Sequence, residues 1–272
     1  MQHRDNKSHY KLEPRQIGKI NGRGLWTLYT KEVRRFMSVW LQTVMAPVVT
    51  TLLFLAIFYL ALGGAVREIN GMPFILFLAP GLLAMAVAQN AFANTSSSII
   101  VSKIQGNIVD VLMPPLNARE LTVAYAGGGV TRGVFVGIGV FIALKVFVNL
   151  PIHHPFWMLY FVVSTAFLLS LLGMVGGIWA QKFDHMSAMT NFVITPLSFL
   201  SGTFYSIDRL PEFWQQVTLF NPFFHMINGI RYGFIGVSDA SIVAGALFLA
   251  CFNLFLLIVV HAMIKRGYKL RP

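Results

Sequence analysis

Long apolar runs recur along the chain, and they constrain its fold more than any other feature. About 20 apolar residues in a helix cross the hydrocarbon core of a bilayer, and six runs of that kind occur here. Only 11% of the residues are charged, against about 25% in soluble chains. The sequence therefore predicts an all-α polytopic membrane protein with six transmembrane helices. The predicted spans are residues 41–62, 74–95, 121–148, 156–180, 187–203 and 240–264.

The segment before the first span has the pattern of a helix that lies on a membrane surface. Apolar residues recur at helical spacing at Trp26, Tyr29 and Val33, and basic residues fall on the other side. We predict an interfacial amphipathic helix at residues 22–40, with a plain cytoplasmic extension of the first span as the alternative. Residues 1–21 lack the apolar core of a signal peptide, and we predict that they form a disordered cytoplasmic tail.

The basic residues cluster at the two ends of the chain. The net charge is +11, and of the 21 Lys and Arg, nine precede residue 40 and four follow residue 264. Basic residues beside spans are typical of cytoplasmic loops and of contact with anionic lipids rather than of nucleic-acid binding. We therefore predict cytoplasmic termini, membrane lipids as partners, no nucleic-acid partner, and an external segment before the sixth span.

That external segment, residues 204–238, is too aromatic for a solvated loop. Its halves, at about 207–219 and 222–235, are too short to cross a core of about 30 Å. We predict a re-entrant helical pair that enters the outer leaflet and forms part of an outer gate. The alternative is a lid that only anchors the sixth span. The candidate gate residues are Tyr205, Pro211, Asn221, Pro222, His225, Arg231 and Gly233.

Arg231 is a cation in this aromatic segment and needs a partner. We predict that it holds the re-entrant helices through an outer carboxylate. The candidates are Asp208, Glu212 and Asp239.

Residues 99–120 form the first substantial connection between spans. Ile108, Val111 and Leu112 lie on one apolar stripe, and Pro114 with Pro115 ends the helix. A short amphipathic helix between two spans either docks on another protein or covers the bilayer surface. The sequence leaves both interpretations open.

Small residues form a stripe in the third span. Gly129, Gly133 and Gly137 recur every four residues, so they share one helix face and permit close helix packing. The packing partner is either another helix of the same subunit or a second subunit.

Polar residues interrupt two of the spans. The second span turns polar at Asn90 and Asn94, which either line a water-filled path or bond to neighbouring helices. Arg132 interrupts the third span. We predict that its side chain reaches the interface, with a functional intramembrane charge as the alternative.

The residues needed for catalysis are missing from this pattern. None of the ten acidic residues lies inside a predicted span, which argues against ion coupling through a carboxylate. The sequence has no G-x-x-x-x-G-K-[ST] phosphate loop and no histidine or cysteine cluster with metal-ligand spacing. We therefore predict no catalytic, cofactor or metal site in this chain, which would not be an enzyme.

The order of these features resembles the ABC-2 type transporter permeases, and especially the bacterial branch that includes the NodJ and YadH permeases. The resemblance extends from about residue 25 to the end and rests on three groups of residues. These are Ala79-Pro80-Gly81, Gly202-Thr203-Phe204-Tyr205-Ser206 with Leu210-Pro211, and Asn221-Pro222 with Arg231-Tyr232-Gly233. It assigns residues 41–272 to one transmembrane domain.

The resemblance implies an export permease in the bacterial inner membrane. Such a permease works as a dimer, most simply a homodimer, with a separate cytoplasmic ATPase that holds ATP and Mg. The cargo would be amphipathic, such as a saccharide, a lipid-linked saccharide or a drug. An ion-coupled carrier or channel is the alternative, and a lipid-modifying membrane enzyme is a further one.

The resemblance also assigns a coupling helix to the segment near residues 103–113. The residues expected to couple to the ATPase are Lys103, Ile104, Ile108, Asp110, Val111 and Leu112. Asp110 stands where the family often has a glutamate. Ile108, Val111 and Leu112 are expected to form the docking surface.

Overall fold

The computed structural model describes residues 18, 20–62, 68–69 and 71–270, so most of the predicted tail at residues 1–21 lies outside the described residues. The described chain is mostly helical. The elements are α1 (Gly22–Met37), α2 (Trp40–Leu62), β1 (Glu68–Ile69), β2 (Met72–Pro73), α3 (Phe74–Ile104), α4 (Ile108–Leu112), α5 (Ala118–Phe147), α6 (Pro155–Trp179), α7 (Phe183–Met189), a π-helix (Thr190–Ile194), α8 (Thr195–Phe199), a 3₁₀ turn (Ile207–Arg209), α9 (Glu212–Leu219), α10 (Pro222–Ile235) and α11 (Ile242–Lys265).

Five of these helices are long and apolar enough to cross a membrane, namely α2, α3, α5, α6 and α11. They correspond to five of the six predicted spans, so the polytopic helical architecture is confirmed at that level. Helix α3 continues to Ile104, beyond the predicted end of the second span at residue 95. The first part of the predicted connection at 99–120 is therefore a continuation of α3.

The predicted span at 187–203 corresponds to a broken helix that begins and ends four residues earlier. Helix α7, the π-helix and α8 follow one another without a gap from Phe183 to Phe199, a length of about 25 Å at 1.5 Å per residue. Pro196 explains the π-helical turn, because in an α-helix its ring would clash with the carbonyl four residues earlier. The Thr195 N–H instead donates to the Thr190 carbonyl, five residues back.

Helix α3 lies at the centre of the bundle, between α5 and α6. A β-carbon at Gly133 on α5 would lie 3.0 Å from the Ala91 Cβ on α3 and 3.1 Å from the Ala166 Cβ on α6. At Gly137 it would lie 2.7 Å from the Val87 Cγ2 on α3. Gly129 faces Thr95 on α3 and Ser170 on α6. The glycine stripe therefore packs α5 against helices of its own subunit.

Helix α1 is attached to α3 by buried polar contacts that the sequence analysis did not anticipate. Glu32 is completely buried and accepts a hydrogen bond of 2.8 Å from the Ser98 hydroxyl. Arg35 lies 3.2 Å from the Glu32 carboxylate and donates to the Asn94 carbonyl at 2.6 Å. The basic residues of this helix were expected to lie towards lipid, but Arg35 points into the protein because Glu32 and Asn94 supply acceptors there. Trp26 remains largely exposed.

Helix α10 is inserted between α3, α6 and α11. Gly229 and Gly233 let it approach α6, where a β-carbon at Gly233 would lie 2.6 Å from the Met158 Cα. At its end, the His154 N–H donates to the Gly233 carbonyl at 2.9 Å. Gly236 then ends α10 with φ of 75°, a left-handed conformation that favours glycine. Close backbone contact therefore fixes α10 against the start of α6.

Arg231 of α10 is fully buried at the junction of three segments. Its guanidinium lies 3.7 Å from the centre of the Phe77 ring on α3, and its Nη2 donates to the Gly202 carbonyl at 2.5 Å. Its Nη1 lies 3.6 Å from a carboxylate oxygen of Asp239, whose side chain is also buried. Of the three predicted carboxylate partners, Asp239 is the one that the structure pairs with Arg231.

Replacing Asp239 by asparagine is predicted to destabilise the fold strongly. The substitution leaves the buried guanidinium of Arg231 without a counter-charge, which typically costs about 3–5 kcal/mol. The free energy of unfolding in detergent, followed by intrinsic tryptophan fluorescence, measures this loss. Glu212→Gln is the matched control, because Glu212 is an exposed carboxylate in the same segment and a surface change should stay within about 0.5 kcal/mol. Equal free energies of unfolding of the two variants would contradict the buried ion pair between Arg231 and Asp239.

Candidate functional site

One end of the helix bundle collects the features that were predicted to couple the chain to a partner. Helix α4 lies there, preceded by Gly106 with φ of 76°. The end of the chain lies beside it, since Ile264 and Leu270 line the same small cavity as Ile108. The start of α1 is also there, because the Asn21 side chain donates to the Pro115 carbonyl at 3.3 Å. We call this region the coupling end.

The predicted docking stripe on α4 faces the wrong way. Ile108 and Val111 are only 7% and 6% exposed, and Leu112 is half-buried. With these residues, Tyr125 of α5 and Met174 of α6 line the small apolar cavity at the coupling end. The stripe packs inward because it covers apolar side chains of α3, α5 and α6. The prediction that Ile108, Val111 and Leu112 form a docking surface is therefore wrong.

The opposite side of this segment is the exposed one. Ile104, Val109 and Met113 are 49%, 46% and 77% exposed, and Asp110 is exposed as well. We define these four residues as the α4 outer face. It combines three exposed apolar side chains with one carboxylate. Such a combination is typical of a surface that another protein covers.

Lys103 does not belong to the outer face. Its ammonium donates to the carbonyls of Ile178 at 2.6 Å and Ala180 at 2.5 Å, at the end of α6. A cation near the unpaired carbonyls of a helix C-terminus is stabilising. Lys103 therefore ties the end of α3, just before α4, to the end of α6.

The segment after α4 is tied to two further helices through Glu120. The Asn117 side chain accepts a hydrogen bond from the Glu120 N–H at 2.9 Å, and the Glu120 carboxylate accepts one from the Asn117 N–H at 2.7 Å. This capping box starts α5. Glu120 also accepts a hydrogen bond from the backbone N–H of Asn21, just before α1. The chain segments directly before and after α4 are thus tied to α1, α5 and α6.

The candidate gate residues fall into two groups. Tyr205, Pro211, Asn221 and Pro222 line one cavity of about 730 Å³ between α8 and α9. The second group lies on α10 away from this cavity: His225 contacts the Leu219 carbonyl at 2.7 Å, Arg231 pairs with Asp239, and Gly233 packs on α6. The structure therefore brings four of the seven together at one cavity and uses the other three to hold α10.

The polar end of the second predicted span mainly bonds helices together. Thr95 of α3 donates to the Ser170 carbonyl of α6 at 2.7 Å, and Asn94 accepts from Arg35 of α1. Asn90 also faces a cation, because the Arg132 Nη2 donates to its side-chain oxygen at 3.3 Å. Arg132 and Asn90 both line a groove of about 430 Å³. The spacing of Asn90 and Asn94, one helical turn apart, was the sequence signal for these contacts.

Comparisons with known proteins identify the family. A sequence profile described as ABC-2 type transporter matches residues 23–235, from α1 to the end of α10. Over 247 residues the chain is 39% identical to the inner membrane transport permease YadH of Escherichia coli (strain K12), covering 91% of this chain and 96% of that relative. It is 26% identical over 234 residues to nodulation protein J of Rhizobium leguminosarum bv. viciae, covering 83% and 86%.

A second nodulation protein J, that of Rhizobium meliloti (strain 1021), is 21% identical over 212 residues, covering 78% of this chain and 81% of that protein. The profile covers all three groups of residues on which the predicted resemblance rests. That prediction is confirmed: the chain belongs to the ABC-2 type transporter family of membrane transport permeases.

Proposed function

We propose that this chain is the membrane subunit of an ATP-driven exporter in a bacterial inner membrane, with its ATP hydrolysed by a separate ATPase subunit. Members of the family generally pair with such a subunit, and the relative YadH is an inner membrane permease by name. The observation that carries the proposal is the α4 outer face. It presents apolar side chains at an end of the bundle that no other described helix covers.

The ATPase docks on the α4 outer face in this proposal. Ile104, Val109 and Met113 would enter an apolar groove on the ATPase, and Asp110 would meet a basic or amide group at its rim. Burying each apolar side chain contributes about 1.5–3 kcal/mol when it is fully covered. Three such side chains are enough to make the complex depend on this face.

The fixed contacts around α4 explain how docking would act on the spans. Lys103 joins the approach to α4 to the end of α6, and Glu120 joins the segment after it to α5 and α1. A displacement of α4 would therefore move the ends of several helices together. In the proposal this changes the packing of the spans and opens a path for an amphipathic cargo between two copies of the chain.

We also propose that both termini are cytoplasmic and that the chain crosses the membrane six times. The support is that α4, the start of α1 and the end of α11 share the coupling end. Residues 183–199 would supply the fifth crossing. They follow Trp179, whose carbonyl accepts a hydrogen bond of 3.4 Å from Lys269 at the coupling end. They end at Phe199, whose ring centroid lies 6.1 Å from that of Phe54 on α2. Helices α9 and α10 would form the external re-entrant pair, with exposed Phe213 and Trp214 in the outer leaflet.

Charges on the α4 outer face are predicted to break the complex with the ATPase. The double substitution Val109→Glu and Met113→Glu would bury two carboxylates in an apolar contact, and 1.4 kcal/mol already corresponds to a tenfold change in affinity. We expect at least about tenfold less ATPase to co-purify with the tagged permease. The matched control is Val109→Ile with Met113→Leu, which keeps the face apolar and should retain the ATPase.

Normal ATPase binding by the folded double-glutamate variant would contradict this docking face. Cargo movement that continues after ATP depletion and follows an ion gradient would instead support an ion-coupled carrier or channel.

The proposed topology predicts which cysteines react from outside the cell. In a Cys251→Ser background, a cysteine placed at Glu212 should react with a membrane-impermeant maleimide added to intact spheroplasts. A cysteine placed at Met113 should react only after the membrane is permeabilised. Mass shifts of the labelled chain measure both reactions. Labelling of the two positions from the same side would refute the topology.

A further inference from the structure

A polar groove of about 430 Å³ opens between α2, α3 and α5. Its polar lining comes from facing positions on two helices, with Arg132 contributed by α5. The uncharged polar residues in the lining are Gln42, Thr43, Thr50, Thr51, Gln89 and Asn90. Apolar residues such as Pro47, Phe54 and Leu82 complete it. The groove is therefore amphipathic and carries a single cation.

The charge of Arg132 is not neutralised by the described part of the chain. Its Nη2 has the neutral Asn90 side chain as acceptor. The ion pairs formed among the described residues are Arg35 with Glu32 and Arg231 with Asp239. Arg35 bonds to Asn94, one turn along α3 from Asn90, and has its carboxylate. Of two arginines bonded to successive turns of one helix, only Arg132 lacks a counter-charge.

The depth of Arg132 places this charge within reach of lipid headgroups. Helix α5 has 30 residues, about 45 Å, which exceeds the hydrocarbon core by about 15 Å. The capping box and the Glu120 contact hold its first turn at the coupling end, so the excess belongs at that end. Arg132 lies about 21 Å from the start of α5, and hence about 6 Å inside the core. This step rests on the proposed topology.

An arginine at this depth needs an anion or water, because it stays charged and its transfer into lipid is costly. Its guanidinium fork matches the geometry of a phosphate or carboxylate. We propose that the groove binds the phosphate headgroup of an anionic amphiphile from the inner leaflet. Arg132 contacts the phosphate, the carboxamides and hydroxyls of α2 and α3 bond to the rest of the headgroup, and the tail leaves along Pro47 and Phe54.

The proposal is tested by lipid retention, without the ATPase. The full-length chain is purified in detergent and mixed with phosphatidylglycerol, and native mass spectrometry counts the lipids that remain bound. Arg132→Gln is expected to lose one phosphatidylglycerol per chain relative to the parent protein. Arg132→Lys should retain part of this binding, because it keeps the charge but not the fork. Lys145→Gln, which removes an exposed cation from the same helix, should retain all of it.

A second variant covers the case in which Arg132→Gln does not fold. Thr50→Leu keeps Arg132 but fills the groove with apolar volume, and it should lose the same lipid. Equal retention by the parent protein and the folded groove variants would overturn the proposal.

Soluble glycerol phosphate is measured in parallel. If it binds through Arg132 while phosphatidylglycerol does not, the ligand is a soluble anion and the amphiphile is refuted. Loss of ATPase coupling leaves this result unchanged, so the two proposals fail separately.

Discussion

The close approach of α5 and α6 to α3 is the interaction on which the rest of the structure depends. In lipid there is no hydrophobic force between helices, so association relies on van der Waals contact and hydrogen bonds. Gly133 on α5 meets Ala91 and Ala166 almost backbone to backbone, and Thr95 bonds across to α6. This packing encloses α3 and makes it the frame on which the more polar elements are mounted.

Charged groups are buried at both ends of that frame. Arg231 stacks on Phe77 near the start of α3 and pairs with Asp239, while Glu32 and Arg35 bond to Ser98 and Asn94 near its other end. Removing one member of a buried ion pair is strongly destabilising. Each pair therefore favours a single position of its helix against α3. Helix α10 is fixed at one end of α3, and α1 is fixed towards the other.

Much of this architecture could be predicted from the sequence, because its signals are local. Apolar length identified the five long helices, and the four-residue spacing of the glycines identified the packed face of α5. The break before Pro196 is also local, because a proline inside a helix disturbs the turn that precedes it. The motifs around Pro80, Pro211 and Pro222 led to the correct family.

The orientation of α4 could not be predicted in the same way. Apolar residues surround this five-residue helix, with Ile108 and Val111 on one side and Val109 and Met113 on the other. Periodicity alone does not choose between two apolar sides. The choice depends on residues far along the chain, such as Met174 and Leu270, which cover the inward side. The position of Arg35 likewise depends in part on a distant segment, because Glu32 neutralises it within α1 but Asn94 of α3 supplies its other acceptors.

The central proposal is that an ATPase subunit docks on the α4 outer face and not on the inward stripe of Ile108, Val111 and Leu112. Site-directed cross-linking tests it most directly. In a Cys251→Ser chain co-expressed with the proposed ATPase subunit, a cysteine at Met113 should form a covalent adduct with the ATPase through a short bifunctional reagent. A cysteine at Val111 should form none. An adduct from position 111 without one from position 113 would contradict the account.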